Sequence, residues 1–77
     1  MRQSGRSTQF ALCLDSRRYR ASLVARKVYK VLPDSDAESH GMLRVVDESG
    51  EDYLYSSRRF ALLELPPALR QKLATAK

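Results

Sequence analysis

Gly41-Met42-Leu43-Arg44-Val45-Val46-Asp47-Glu48-Ser49-Gly50-Glu51-Asp52-Tyr53-Leu54-Tyr55 is the stretch on which the fold turns. Leu43 and Val45 fall on one side of an extended chain, and Arg44 and Val46 on the other. Glu48-Ser49-Gly50-Glu51 interrupts the run with a glycine able to take positive φ, and residues 52–55 return as a partner strand. A hairpin with strands at 42–47 and 52–55 is therefore expected.

Working outward, Val28-Tyr29-Lys30-Val31-Leu32 is rich in β-branched and aromatic residues, with Tyr29 and Val31 on one face and Lys30 on the other. Pro33 ends that strand, and residues 33–41 read as an acidic loop closed by Gly41. Residues 9–14 form a continuous apolar first strand. Residues 15–20 form an arginine-rich loop, and 21–27 suit either a helical turn or an extended arm. Downstream, residues 56–59 make a tight turn before a last strand at 60–65. Pro66-Pro67 stops the sheet, and 68–77 has helix-forming composition with Leu69 and Leu73 one turn apart. Residues 1–8 lack apolar periodicity and read as a flexible tail.

Five short antiparallel strands most often close into a small barrel, which hides the edges of Val- and Leu-rich strands. The expectation is a mainly β chain with three parts: the tail at 1–8, a five-stranded barrel over 9–65, and a C-terminal helix over 66–77. Seventy-seven residues allow one domain with a thin core. With 43% hydrophobic and 30% charged residues, the composition is that of an ordinary globular chain. The apolar runs are too short for a transmembrane helix, and no signal core follows Arg2 and Arg6, so a cytoplasmic setting is expected.

The hairpin, together with 28–34, Phe60 and Glu64-Leu65-Pro66, resembles small uncharacterised bacterial proteins with an SH3-like barrel. The resemblance covers roughly residues 9–66 and is most specific in Asp47-Glu48-Ser49-Gly50-Glu51-Asp52-Tyr53-Leu54-Tyr55. It implies the fold but no activity. Residues 15–27 would stand for the long first loop of that architecture and 33–41 for the second. The distal hairpin would be 48–51, and 56–59 the turn before the last strand. Proline-rich peptide recognition is not implied, because the chain has no tryptophan and its first strand has no aromatic cluster. Ile and Asn are also absent and Arg outnumbers Lys, a bias in keeping with a GC-rich bacterial source.

The net charge of +5 conceals a segregated pattern of basic ends around an acidic middle. A single basic face would require the fold to bring Arg17, Arg18 and Arg20 near Arg58 and Arg59. Arg17-Arg18-Tyr19-Arg20 interleaves an aromatic ring with guanidinium groups, a pattern able to grip phosphates while the ring stacks on a base. Tyr53, Tyr55, Arg58 and Arg59 form a second such cluster. The competing reading places Tyr29 and one or both of Tyr53 and Tyr55 in the core or at its rim, with the arginines solubilising the loops.

Catalysis is not expected. Cys13 lies in an apolar run and reads as buried, and the one histidine, His40, reads as a solvated loop residue. Asp47, Glu48, Glu51 and Asp52 lack the spacing of a calcium loop and read as a solvated hairpin tip. No cofactor, metal or small-molecule substrate is implied. The expected function is a non-enzymatic interaction module binding a protein partner or a second copy of itself, with Leu69 and Leu73 docking on the barrel or on a neighbour. Nucleic-acid binding through the Arg/Tyr loops is the alternative.

Overall fold

A computed structural model of the chain describes residues 8–75, so the expected tail lies almost wholly outside the described residues. The order of elements is β1 (Gln9–Cys13), β2 (Val28–Leu32), α1 (Ser35–Ser39), β3 (Met42–Val46), β4 (Asp52–Ser56), a 3-10 turn (Ser57–Arg59), β5 (Phe60–Leu63) and α2 (Pro67–Thr75). The strands form one antiparallel sheet in the order β4-β3-β2-β1-β5. All five expected strands are present, with β1, β3 and β5 shorter than anticipated and β4 one residue longer.

Alternation along the strands sets the two faces. Ala11, Cys13, Tyr29, Val31, Leu43, Val45, Tyr55 and Phe60 are buried on the inner face and meet the loop residue Leu23 there. Burying such side chains supplies the driving force, at roughly 25 cal/mol per Å² of apolar surface. Cys13 is fully buried, as its apolar neighbours suggest, and burial pushes its thiol pKa up.

The closed barrel expected from the strand count does not form. β4 and β5 are the two edges of an open sheet, and no ladder joins them among the described residues. The gap is taken up by the loop between β1 and β2. Its Leu23 is 1% exposed, and its Tyr19 ring meets Tyr55 edge-on at 5.1 Å. Residues 21–27, ambiguous in sequence, are successive turns carrying this plug rather than a regular element. The Tyr29 hydroxyl accepts from Val24 N and donates to Glu48, which also pairs with Lys27. The loop is thus tied to β2 and to the β3–β4 hairpin.

A second correction concerns residues 33–41, read as loop. They contain α1, because the Asp34 side chain accepts from Ala37 N at 2.9 Å and caps the helix. Glu38 reaches back to Asp34 N, and Gly41, at φ 73°, ends the turn in the left-handed region that glycine enters without a Cβ penalty. Arg44 on β3 bridges Asp34 and Asp52, so the helix is held to the sheet. Gly50, at φ 85°, serves the hairpin turn as its sequence indicated.

Pro67 opens α2, as its missing N–H allows. Leu73 of α2 lines a hollow of about 310 Å³ with Phe10, Val28, Lys30 and Val46 on the outer face of the sheet. The helix therefore approaches its own sheet face rather than a barrel end, while Leu69 is left exposed. No helix among the described residues is long and apolar enough to cross a membrane.

Candidate functional site

The two Arg/Tyr segments, separated by more than thirty residues in sequence, meet in space. The agent is Arg59. The 3-10 turn that carries it is capped by Ser56, whose hydroxyl accepts from Arg58 N. From there the Arg59 guanidinium donates to the carbonyls of Asp15 (3.1 Å) and Arg17 (2.9 Å) and lies 4.7 Å from the centroid of the Tyr19 ring. Asp15 is 3.6 Å from Arg59 and also pairs with Arg17. Hydrogen bonds from Arg17 lower the Asp15 pKa to about 2.

Arg59 therefore has a structural role that its sequence position did not suggest. It is a clamp whose Nη1 is engaged by two loop carbonyls, and Arg17 is held to Asp15. Arg18, Arg20 and Arg58 remain exposed, and none of the ion pairs among the described residues involves them. Arg18 adopts φ 75° in the turn where Tyr19 N donates to Ser16 O. A left-handed conformation at a residue with a Cβ costs on the order of 1–2 kcal/mol, which the surrounding contacts must hold.

Tyr19 packs across Tyr55, which in turn meets Phe60. Tyr55 is buried, whereas Tyr53, two residues earlier on the same face of edge strand β4, is 50% exposed. The competing core reading thus holds for Tyr29 and Tyr55 but not for Tyr53. The rings of Tyr19, Tyr53 and Tyr55, together with Leu54, wall a hollow of about 370 Å³ between the long loop and β4; Ser22, Asp47 and Ser49 supply its polar lining.

Asp47 departs most from the sequence reading. It was expected among the solvated acids of the hairpin tip, yet it is 5% exposed. Its Oδ1 accepts from Ser49 N and Ser49 Oγ, and its Oδ2 accepts from the Tyr55 hydroxyl at 2.7 Å. Burial pushes the Asp47 carboxyl up, but the two Ser49 donors and the Tyr55 hydroxyl outweigh it and hold the pKa below its ordinary value. Tyr55 is pushed up to about 12 by burial and by the Asp47 carboxylate. Glu48, the next residue, serves the Tyr29 and Lys27 network instead.

Three contributors were not identified from sequence: Leu23 as a core plug, Asp47 as a buried acceptor and Arg59 as a clamp. The Asp-x-Ser spacing of Asp47 and Ser49 was a usable signal, since Asp side chains accept from the backbone two residues on in turns. No comparable local signal exists for Leu23 or Arg59. His40 is exposed beside α1, with Nδ1 2.8 Å from Asp36 O. No group of three or more His, Cys, Asp or Glu side chains suited to a metal occurs among the described residues. No protein-family model, curated protein or solved structure matches this chain.

Proposed function

We propose that the chain is a non-enzymatic interaction module that binds a protein partner through the hollow beside β4. The observation that carries this reading is the exposed Tyr53 on an edge strand, lining one hollow with Tyr19 and the buried Asp47. Aromatic rings with one apolar and one polar end are the residue type that protein interfaces favour, and edge strands accept extended segments. The strand order β5-β1-β2-β3-β4, with a 3-10 turn before the last strand and a long loop after the first, supports placing the fold in the SH3-like class. The sheet is open, so such a barrel would be completed by the loop rather than by strand pairing. A cytoplasmic bacterial setting belongs to the same reading, supported by a single buried thiol and the excess of Arg over Lys.

The test is a photo-crosslinker at position 53, followed by affinity measurement with the purified captured partner. Tyr19→Ala or Tyr53→Ala should weaken that affinity tenfold or more while the amide spectrum stays folded. Crosslinking only between copies of the chain, with sedimentation showing a dimer, would assign the surface to self-association. The absence of any crosslink from position 53 would remove the reading.

A second reading has its own observation: Arg59 clamps together the loop bearing exposed Arg18 and Arg20 and the turn bearing exposed Arg58. A phosphate backbone would be the ligand, and affinity would fall steeply with salt because bound counterions are released. Titration with short single-stranded DNA and RNA at two salt concentrations tests it. Salt-insensitive or absent amide shifts at residues 15–20 and 57–59 would sink it.

A further inference from the structure

We infer that the tyrosine-walled hollow is a seat for one lysine side chain, presented by an extended segment of the protein partner proposed above. The inference rests on that partner-binding reading and adds the chemistry of recognition.

The first observation is electrostatic. Four carboxylates around the sheet have a cation beside them: Asp15 has Arg17 and Arg59, Asp34 and Asp52 share Arg44, and Glu48 has Lys27. Asp47 is more buried than any of these, yet takes part in none of the ion pairs among the described residues. It is also the one charged side chain on the hollow's lining. Neutral donors from Ser49 and Tyr55 hold it as an anion, so a negative charge with no cation at ion-pair distance lines a largely aromatic hollow. A buried charge without a partner is unfavourable, and a cation entering the hollow relieves it.

The second observation is the wall. Tyr19, Tyr53 and Tyr55 surround the space, and tyrosine faces attract cations through the ring quadrupole. Tyr19 already engages one cation, Arg59, at 4.7 Å. That guanidinium is bound to two loop carbonyls and lies near Asp15, so it does not serve Asp47. The half-exposed Tyr53 ring offers apolar surface for an aliphatic stem, and β4 is an edge strand along which an extended chain can run.

The choice of ammonium over guanidinium follows from the acceptor count. Asp47 Oδ1 takes two hydrogen bonds and is saturated, whereas Oδ2 takes one and keeps one lone pair. A guanidinium fork binds best when both carboxylate oxygens are open to it. A single point donor needs only one.

The experiment uses the full chain and labelled ten-residue peptide pools with random flanks and a fixed central Lys, Arg or norleucine, read by fluorescence anisotropy at physiological salt. The Lys pool should bind at least fivefold more tightly than the norleucine pool and ahead of the Arg pool. The Arg pool carries the same charge as the Lys pool and so controls for non-specific attraction to the acidic hairpin of Asp47, Glu48, Glu51 and Asp52. Tyr53→Ala should erase the preference and Tyr53→Phe should keep it; Tyr53 is half exposed, so neither threatens the fold. Equal affinity for Lys and norleucine, a lead for Arg, a preference that survives Tyr53→Ala, or no binding by any pool would each overturn the inference. A partner crosslinked at position 53 would stand through all four outcomes, so the partner-binding reading and the lysine seat fail separately.

Discussion

Asp47 accepts hydrogen bonds from a backbone N–H, a serine hydroxyl and a tyrosine hydroxyl while almost shut off from solvent. Asp47→Asn replaces one acceptor oxygen by a donor and leaves a partner facing it unsatisfied. The expected loss is about 1–3 kcal/mol in urea unfolding, the cost of a buried hydrogen-bonding group left unpaired. The pH dependence follows with definite sign. The folded Asp47 pKa is depressed, so its contribution is present above the unfolded carboxylate value of about 3.9 and is lost as pH falls through the folded value. Tyr55 acts at the other extreme. Its pKa is raised to about 12, so its contribution is complete below the unfolded value of about 10 and is lost as pH rises through 12. Tyr29, raised by burial and by Glu48, has the same sign. Ultraviolet titration should therefore show delayed tyrosinate formation, and Tyr55→Phe should remove one delayed ionisation. Ionisation of every tyrosine near 10 in the folded protein would contradict the buried network.

The elements that differ most from their sequence reading are the connections. The loop between β1 and β2 behaves as part of the core because it delivers Leu23 to the inner face. Leu23→Ala should cost about 2–5 kcal/mol, the range for emptying a buried leucine site, although the residue lies outside any strand or helix. A loss below about 0.5 kcal/mol would mean that the loop is not packed as described. Helix α1 depends on its cap, and Asp34 also holds Arg44. Asp34→Ala should lower the melting temperature, with amide shifts confined to α1 and β3. Removal of residues 66–77 takes Leu73 away from Phe10 and Val28. The truncated chain should melt earlier and exchange the β1 amides faster; unchanged melting would show that α2 does not dock on its own sheet.

Across the whole molecule, stability should follow the strand order. β2 is central, with β1 and β3 on its flanks, and β4 and β5 each have one strand neighbour. Amide hydrogen exchange should be slowest in β2 and faster along the outer edges of β4 and β5, as local openings start where fewest contacts must break. Uniform protection across β4 and β5 would point to a ladder closing them, or to edges covered in a dimer. A free edge invites pairing with another chain, and the proposed partner site lies along one such edge.

The strands were legible in the chain's local patterns. Leu43 and Val45 opposite Arg44, Tyr29 and Val31 opposite Lys30, and Gly50 at the hairpin are local patterns, and strand geometry depends on the chain within a few residues. The sequence also indicated the burial of Cys13 and the first-turn role of Pro67. It did not reveal α1, because a five-residue helix has too little periodicity to show and depends on the Asp34 cap. Long-range packing settles that the sheet stays open, that Leu23 fills its inner face, and that Asp47 is buried and hydrogen-bonded to Tyr55. The same packing makes Arg59 a clamp and leaves Arg18, Arg20 and Arg58 exposed. The Arg59 contact to the Asp15 carbonyl spans 44 residues of sequence. Contacts of that range depend on how the strands twist and where the loop lands, so no local spacing of residues encodes them.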